Sequence, residues 1–203
     1  MPSERSGPVA GVVLAAGAST RMGRNKLLFQ LEGQSMLRRV AESALAAGLD
    51  PVIVVLGHEA ERARLELDGL PCLSVLNPDY ARGQNTSLCA GITAVPDGAA
   101  AAVVVLADMP FVTPAMIAAV MERYRDGPAP LVFSSYGGVQ APPTLYGRDL
   151  FPELRMLEGE GGGKQVVKRH ASEAAMVSWP AEALTDLDVP EDFERVKARL
   201  GAA

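Results

Sequence analysis

The chain predicts an α/β fold: a three-layer α/β/α sandwich around a Rossmann-like, mainly parallel sheet. Three observations point there. Short apolar runs alternate with helical patterns almost from end to end of the 203 residues, and repeated strand–helix units of this length imply right-handed parallel crossovers. The runs are continuous and rich in β-branched residues rather than alternating, as strands read when both faces of their sheet are covered. Hydrophobic residues make up 48% of the sequence and aromatics only 5%, so the core must be built from Ala, Val and Leu. One domain over residues 1–203 is expected, with 1–8 a flexible lead.

Residues 9–15 (VAGVVLA), 51–56 (PVIVVL), 72–76 (CLSVL), 102–107 (AVVVLA) and 130–134 (PLVFS) read as the strands. Between them, residues 35–47 set Met36, Leu37, Val40, Ala44 and Leu45 along one helical face, and Gly48 supplies a stop. Residues 58–67, 85–95 and 113–125 have similar patterns, the last opened by Thr113 as N-cap and Pro114 at the first helical position. The final third is less regular. Glycine and proline fill 136–147 (YGGVQAPPTLYG) and 158–164 (EGEGGGK), which read as loops or short strands. Helices near 148–157 and 190–200 and a strand near 174–179 complete the expected fold.

A formal net charge of −5 and a pI near 5.1 exclude the basic surface of a nucleic-acid binder. No apolar run approaches the ~18 residues of a membrane span, and the N-terminus shows no apolar signal region, so the expected location is cytoplasmic. Cys72 and Cys89 stand alone, without zinc or CxxC spacing, and read as small buried hydrophobes. His58 and His170 lack a third ligand at metal spacing and read as structural or solvated. Trp179 reads as packing.

The first strand runs directly into Leu14-Ala15-Ala16-Gly17-Ala18-Ser19-Thr20-Arg21-Met22-Gly23-Arg24-Asn25-Lys26. Small residues at the carboxyl end of a strand let backbone amides approach a ligand closely. Arg21 and Lys26 in the same loop can balance the charge of a triphosphate, although a surface loop with solvated charges would read the same way. The glycine and lysine spacing fits neither G-x-x-x-x-G-K-[ST] nor G-x-G-x-x-G, which excludes a Walker loop and a dinucleotide site. Asp108 ends the apolar run before Met109-Pro110. It can hold a divalent cation beside phosphates or simply cap the next turn. In Asn77-Pro78-Asp79-Tyr80-Ala81-Arg82-Gly83-Gln84-Asn85-Thr86-Ser87-Leu88, the polar residues supply donors and acceptors at a helix start, or merely a well-capped helix. Asp186-Leu187-Asp188-Val189-Pro190-Glu191-Asp192 can be the acidic first turn of a last helix.

LAAGASTRMGRNKLL resembles the signature loop of the molybdenum cofactor nucleotidyltransferases and, more broadly, of the nucleotide-diphospho-sugar transferase type of fold. The LADMP, NPDYARGQNTSL and DLDVPED segments resemble that family's other motifs and occur in its order. The resemblance implies nucleotide binding by Leu14, Ala15, Ala16, Gly17, Ser19, Arg21, Lys26, Asn77, Gly83, Ser87 and Asp108. Arg21, Lys26 and Asp108 would be catalytic, and Asp108 with Asp188 would hold Mg²⁺ or Mn²⁺, Asp186 being the alternative to Asp188. Ala16, where the guanylyl branch more often has a second glycine, and the APPTLYGRDLFPEL segment resemble the cytidylyl branch.

The implied substrates are CTP and the phosphate of a molybdenum-bound pterin, molybdopterin. A recipient molybdoenzyme or its chaperone is a possible partner; nucleic acid and membrane are not. The sequence departs from the family pattern at Ala141-Pro142, which replace Gly-His, and at Lys164, which replaces an arginine. Transfer of CMP, UMP or GMP to a sugar or polyol phosphate, or a non-catalytic cofactor-delivery role, are the alternatives.

Overall fold

A computed structural model of the chain describes residues 5, 7–18, 25–159 and 161–184. Among these the strands are β1 (Val9–Ala15), β2 (Gln30–Leu31), β3 (Gln34–Ser35), β4 (Val52–Leu56), β5 (Cys72–Leu76), β6 (Ala101–Leu106), β7 (Leu131–Tyr136), β8 (Val139–Gly147) and β9 (Ala175–Trp179). The helices are α1 (Met36–Ala46), α2 (Ala60–Glu66), α3 (Gln84–Thr93), α4 (Pro114–Arg125), α5 (Phe151–Arg155) and α6 (Lys164–Arg169). Seven strands form one sheet in the order β5-β4-β1-β6-β8-β7-β9, and β2 and β3 form a separate small hairpin. The main sheet is parallel except for β8, which runs antiparallel to β6 and β7.

The continuous apolar runs follow from two cores, one on each sheet face. Val9, Val13 and Ala15 of β1 point into one cluster with Leu37, Val40, Ala63, Ile117 and Val120 from α1, α2 and α4. Ala10, Val12 and Leu14 point into the other, with Leu88, Ile92, Phe151, Leu154 and Val166 from α3, α5 and α6. The same alternation runs through β4 and β6, so no position in these strands can be polar. Thr113 caps α4 as expected, accepting from the Met116 amide at 3.2 Å with Pro114 in the first turn. Ser35 does the same for α1 through the Arg38 amide. Arg5 donates to the carbonyls of Tyr124, Gly127, Pro128 and Ala129, which ties this residue to the end of α4 and the turn after it.

The segment 136–147, expected to be loop or short strand, contains a nine-residue strand near the middle of the sheet. Two prolines cannot donate to a ladder, and the structure places them where no ladder is needed. β8 pairs with β6 only from Thr144 onward. Its pairing with β7 jumps from Phe133↔Thr144 to Ser134↔Ala141 across a bulge, so Pro142 and Pro143 fall in the gap. The expected helix near 148–157 is a 3-10 turn at Arg148–Leu150 followed by α5, and 158–164 ends in α6, a helix the glycine-rich composition hid. The cysteines are a second correction: both are half-buried rather than core residues, and Cys89 Sγ lies 3.0 Å from the Arg155 carbonyl. The expected helix near 190–200 lies outside the described residues.

Glu153 joins α5 to the end of α6, accepting from Arg169 Nε and lying 2.8 Å from His170 Nε2. Burial raises the Glu153 carboxyl, but the hydrogen bonds from His170 and Arg169 outweigh it and hold the group below its ordinary value. A carboxylate with a depressed folded pKa stabilises the fold above its unfolded pKa, and that contribution disappears as pH falls through the folded one. Glu153→Gln should therefore lose about 1 kcal/mol or less at neutral pH, given the partial exposure of the cluster. The gap from the parent in thermal unfolding should close as pH drops below the carboxylate range. A gap independent of pH would assign the effect to shape rather than charge.

Candidate active site

The carboxyl ends of β1, β4 and β6 lie side by side, with Leu14 paired to both Val55 and Leu106. In open α/β sheets this edge is where ligands bind. The Ala107 amide donates to the Leu14 carbonyl at 3.1 Å, bringing the segment after β6 against the loop after β1. Asp108 is the first polar side chain beyond that contact. Lys26 returns to the same place from the far end of the loop. Its 3-10 turn, Lys26–Leu28, is capped by Asn25, whose Oδ1 accepts from the Leu27 amide at 3.1 Å, and is anchored by buried Leu27. Lys26 Nζ and Asp108 Oδ2 meet at 2.8 Å, with side-chain exposures of 12% and 25%. Asp108 is thus engaged by a cation from the far end of the loop after β1.

Leu14 and Ala15 are buried at the end of β1. The Ala16 carbonyl accepts from the His58 amide at 3.2 Å. A Cβ added to Gly57 would come within 2.8 Å of the Ala16 methyl and 2.7 Å of Tyr80 Cβ, so the ends of β1 and β4 are locked together at this point. The Ala16 methyl is thus turned into packing against the end of β4. Gly17 differs. It is exposed, its φ is not in the left-handed region, and nothing lies within 4 Å of an added Cβ. Among the described residues neither packing nor backbone strain requires glycine here, and a glycine leaves room for a ligand to approach the backbone closely.

Asn77 and Ser87 are brought to the same edge, but inward. Asn77 is buried, donates from Nδ2 to Thr86 Oγ1 and Ser87 Oγ at 2.9 Å each, and accepts at Oδ1 from the Asp79 amide. Its polar capacity is used in pinning the end of β5 to the start of α3. Gly83 precedes α3 with φ 118°, a conformation for glycine, and provides no side-chain cap. The Thr86 amide of the α3 first turn closes back on the Gly83 carbonyl at 3.3 Å, and the end of the helix carries the positive pole of its dipole. Ser19, Arg21, Asp186 and Asp188 lie outside the described residues.

Beside the Lys26–Asp108 pair opens a cleft of ≈ 210 Å³ whose floor includes Leu14, Leu88, Val104 and Leu106. Gln140, Pro142, Thr144 and Tyr146 of β8 line it, as do Gln84, Gly161, Gly163 and Lys164. Burial raises the Tyr146 hydroxyl, and a hydrogen bond with the Thr144 side chain opposes that only in part. Gln140 and Tyr146 were not singled out from sequence, because a glycine- and proline-rich stretch shows no period to place them on one strand face. His58 follows the end of β4, and His170 follows α6. His58 is 3.8 Å from Glu59, and His170 lies 2.8 Å from Glu153. No three His, Cys, Asp or Glu residues gather as a metal cluster among the described residues, and no helix among them is long and apolar enough to cross a membrane.

The sequence model of a MobA-like NTP transferase domain matches residues 11–174. The purine catabolism protein PucB of Bacillus subtilis is 31% identical, over 95% of this chain and 98% of its own. A probable molybdenum cofactor guanylyltransferase of Natronomonas pharaonis is 27% identical over 96% and 99%. The crystal structure of Rv0371c from Mycobacterium tuberculosis in complex with manganese superposes with a TM-score of 0.78 at 26% identity, covering 94% of this chain and 98% of that one.

Proposed function

Since the chain belongs to the MobA-like NTP transferase family, we propose that it transfers CMP from CTP to the terminal phosphate of molybdenum-bound molybdopterin, releasing pyrophosphate. The observation that carries this reading is the Lys26–Asp108 pair at 2.8 Å, set at the carboxyl edge of the sheet beside an apolar cleft. Nucleotidyltransferases of this family use nucleoside triphosphates and divalent metals. The donor set fits such an ion, since Asp108 offers a hard carboxylate at a partly open strand end, and Mg²⁺ is commonly held by one or two carboxylates plus substrate phosphates. Asp108, with Asp188, would hold the cation, which when bound supplies positive charge beside the phosphates.

The chain's own residues have the remaining tasks. The strand end at Leu14, Ala15 and Ala16 and the space over Gly17 accept the nucleotide. Lys26, with Arg21, balances charge on the transferred phosphorus as the acceptor oxygen bonds to it and the bond to the pyrophosphate oxygen breaks. The apolar cleft holds the acceptor and excludes water from the reaction, and the Gln84 and Gln140 amides offer hydrogen bonds to its polar edges. Ala16 supports CTP over GTP through the family branch it resembles. Pro142, which lines the cleft where that branch has histidine, favours a second reading in which the acceptor is a related sugar or polyol phosphate.

The test is pyrophosphate release by the purified protein with Mg²⁺, comparing CTP and GTP in the presence of molybdenum-loaded molybdopterin. Release with CTP alone is expected. Equal release with GTP would overturn the base assignment. Release only when a sugar or polyol phosphate replaces the pterin would move the acceptor to the second reading.

A further inference from the structure

One wall of the cleft belongs to no strand and consists of Gly161, Gly163 and Lys164. Lys164 is the one charged residue lining the cleft among the described residues. Its backbone approach runs through glycines with positive φ: 70° at Gly159, 103° at Gly161 and 56° at Gly162. Such a segment has many alternative conformations and needs specific partners to hold one of them.

Those partners come from the first turn of α3. Asn85 donates from Nδ2 to the Glu158 carbonyl at 2.9 Å and to the Gly159 carbonyl at 2.8 Å. Its neighbour Gln84 packs on Gly162, where an added Cβ would come within 2.8 Å of Gln84 Oε1. Asn85 is 3% exposed, and its buried Oδ1 has no hydrogen-bond partner among the described residues. An unpaired buried acceptor is destabilising, so the amide keeps this orientation in return for the two carbonyls it ties down. The Gln165 side chain adds one longer bond to Glu158 at 3.3 Å.

We infer that Asn85 is a positioning residue for acceptor recognition: by fixing the Glu158 and Gly159 backbone to α3 it sets Lys164 along the cleft to meet the acceptor's anionic group. The inference rests on the acceptor occupying the cleft, as in the reading above. Asn85→Asp is the sharpest variant, because it keeps the shape of the side chain while replacing both donors with an oxygen that repels the carbonyls. In the pyrophosphate assay it should raise the acceptor KM about tenfold or more while the CTP KM stays within about twofold. In a Lys164→Ala background the same substitution should add no more than about twofold to the acceptor KM, since the two residues act through one contact.

Amide hydrogen exchange gives a readout independent of turnover. Exchange across residues 157–165 should speed up about tenfold in Asn85→Asp while β1 and β6 keep their protection. A parallel rise of both KM values, an unchanged acceptor KM, full effects that persist without Lys164, or unchanged exchange in that segment would each overturn the assignment. If the parent protein shows no turnover with molybdenum-loaded molybdopterin, the acceptor reading fails, and the exchange experiment alone then decides whether Asn85 holds the wall.

Discussion

Lys26→Ala and Asp108→Ala should each lower pyrophosphate release by about 10²–10³-fold while leaving the circular dichroism spectrum and Tm close to those of the parent. A loss of that size is about 3–4 kcal/mol of transition-state stabilisation. The fold should not lose a comparable amount. The pair sits at the rim of the sheet, both side chains reach solvent, and partly exposed ion pairs contribute only about 1 kcal/mol or less. The anchoring of the Lys26 turn depends on Leu27 in the core and the Asn25 cap, neither of which is touched. If the two residues act on the same phosphates, the double variant should be little worse than the poorer single one. Near-normal turnover in either purified single variant would remove that residue from the chemistry, and a matching fall in Tm would make its role structural.

Both members of that pair were legible in the sequence, one in a loop of small residues after a strand, the other at the end of an apolar run. Their meeting was not. It depends on β6 pairing with β1 across a chain separation that local pattern does not report. Asn77 shows the opposite limit. A polar residue before a helix invites a ligand-binding role, yet its two amide hydrogens go to Thr86 and Ser87, and only coordinates show where hydrogen bonds end. The metal-ligand role expected for Asp188 and the phosphate roles expected for Ser19 and Arg21 fall outside the described residues.

The parallel half of the sheet was legible because burial on both faces leaves a simple mark, continuous Val, Ile, Leu and Ala. The β8 half was not, because two local rules conflict there. Pro142 and Pro143 argue against a strand, while Thr144-Leu145-Tyr146 need one to fill the gap between β6 and β7. The bulge resolves the conflict and also turns Ala141 and Pro142 toward the cleft. The feature that obscured the strand therefore shapes the site. α6 was hidden in the same way, since the glycines before Lys164 read as loop and six residues are too few to establish a period.

Gly91→Ala should destabilise the protein by about 1–3 kcal/mol, the usual range for overpacking a close-packed interior, despite the gain of about 1 kcal/mol that alanine brings to an exposed helix position. Gly91 faces the sheet from the middle of α3. An added Cβ would lie 2.4 Å from Val12 Cγ1 and 3.0 Å from Val55 Cγ2. Val12 and Val55 are fully buried in the two adjacent strands β1 and β4, and β-branched side chains have few rotamers into which to retreat. The methyl can be accommodated only by moving α3 off the sheet. That movement would carry Ser87 and the first turn of α3 away from the end of β1, so activity should fall before the protein unfolds. At about 2–4 °C per kcal/mol for a domain of this size, thermal unfolding should show a drop of several degrees. Val12→Ala opens space at the point of collision, so the double variant should be more stable than the sum of the two single effects predicts. A Tm for Gly91→Ala equal to or above the parent's would show that the helix can shift freely, and that the close approach of α3 to β1 is not what fixes the nucleotide side of the site.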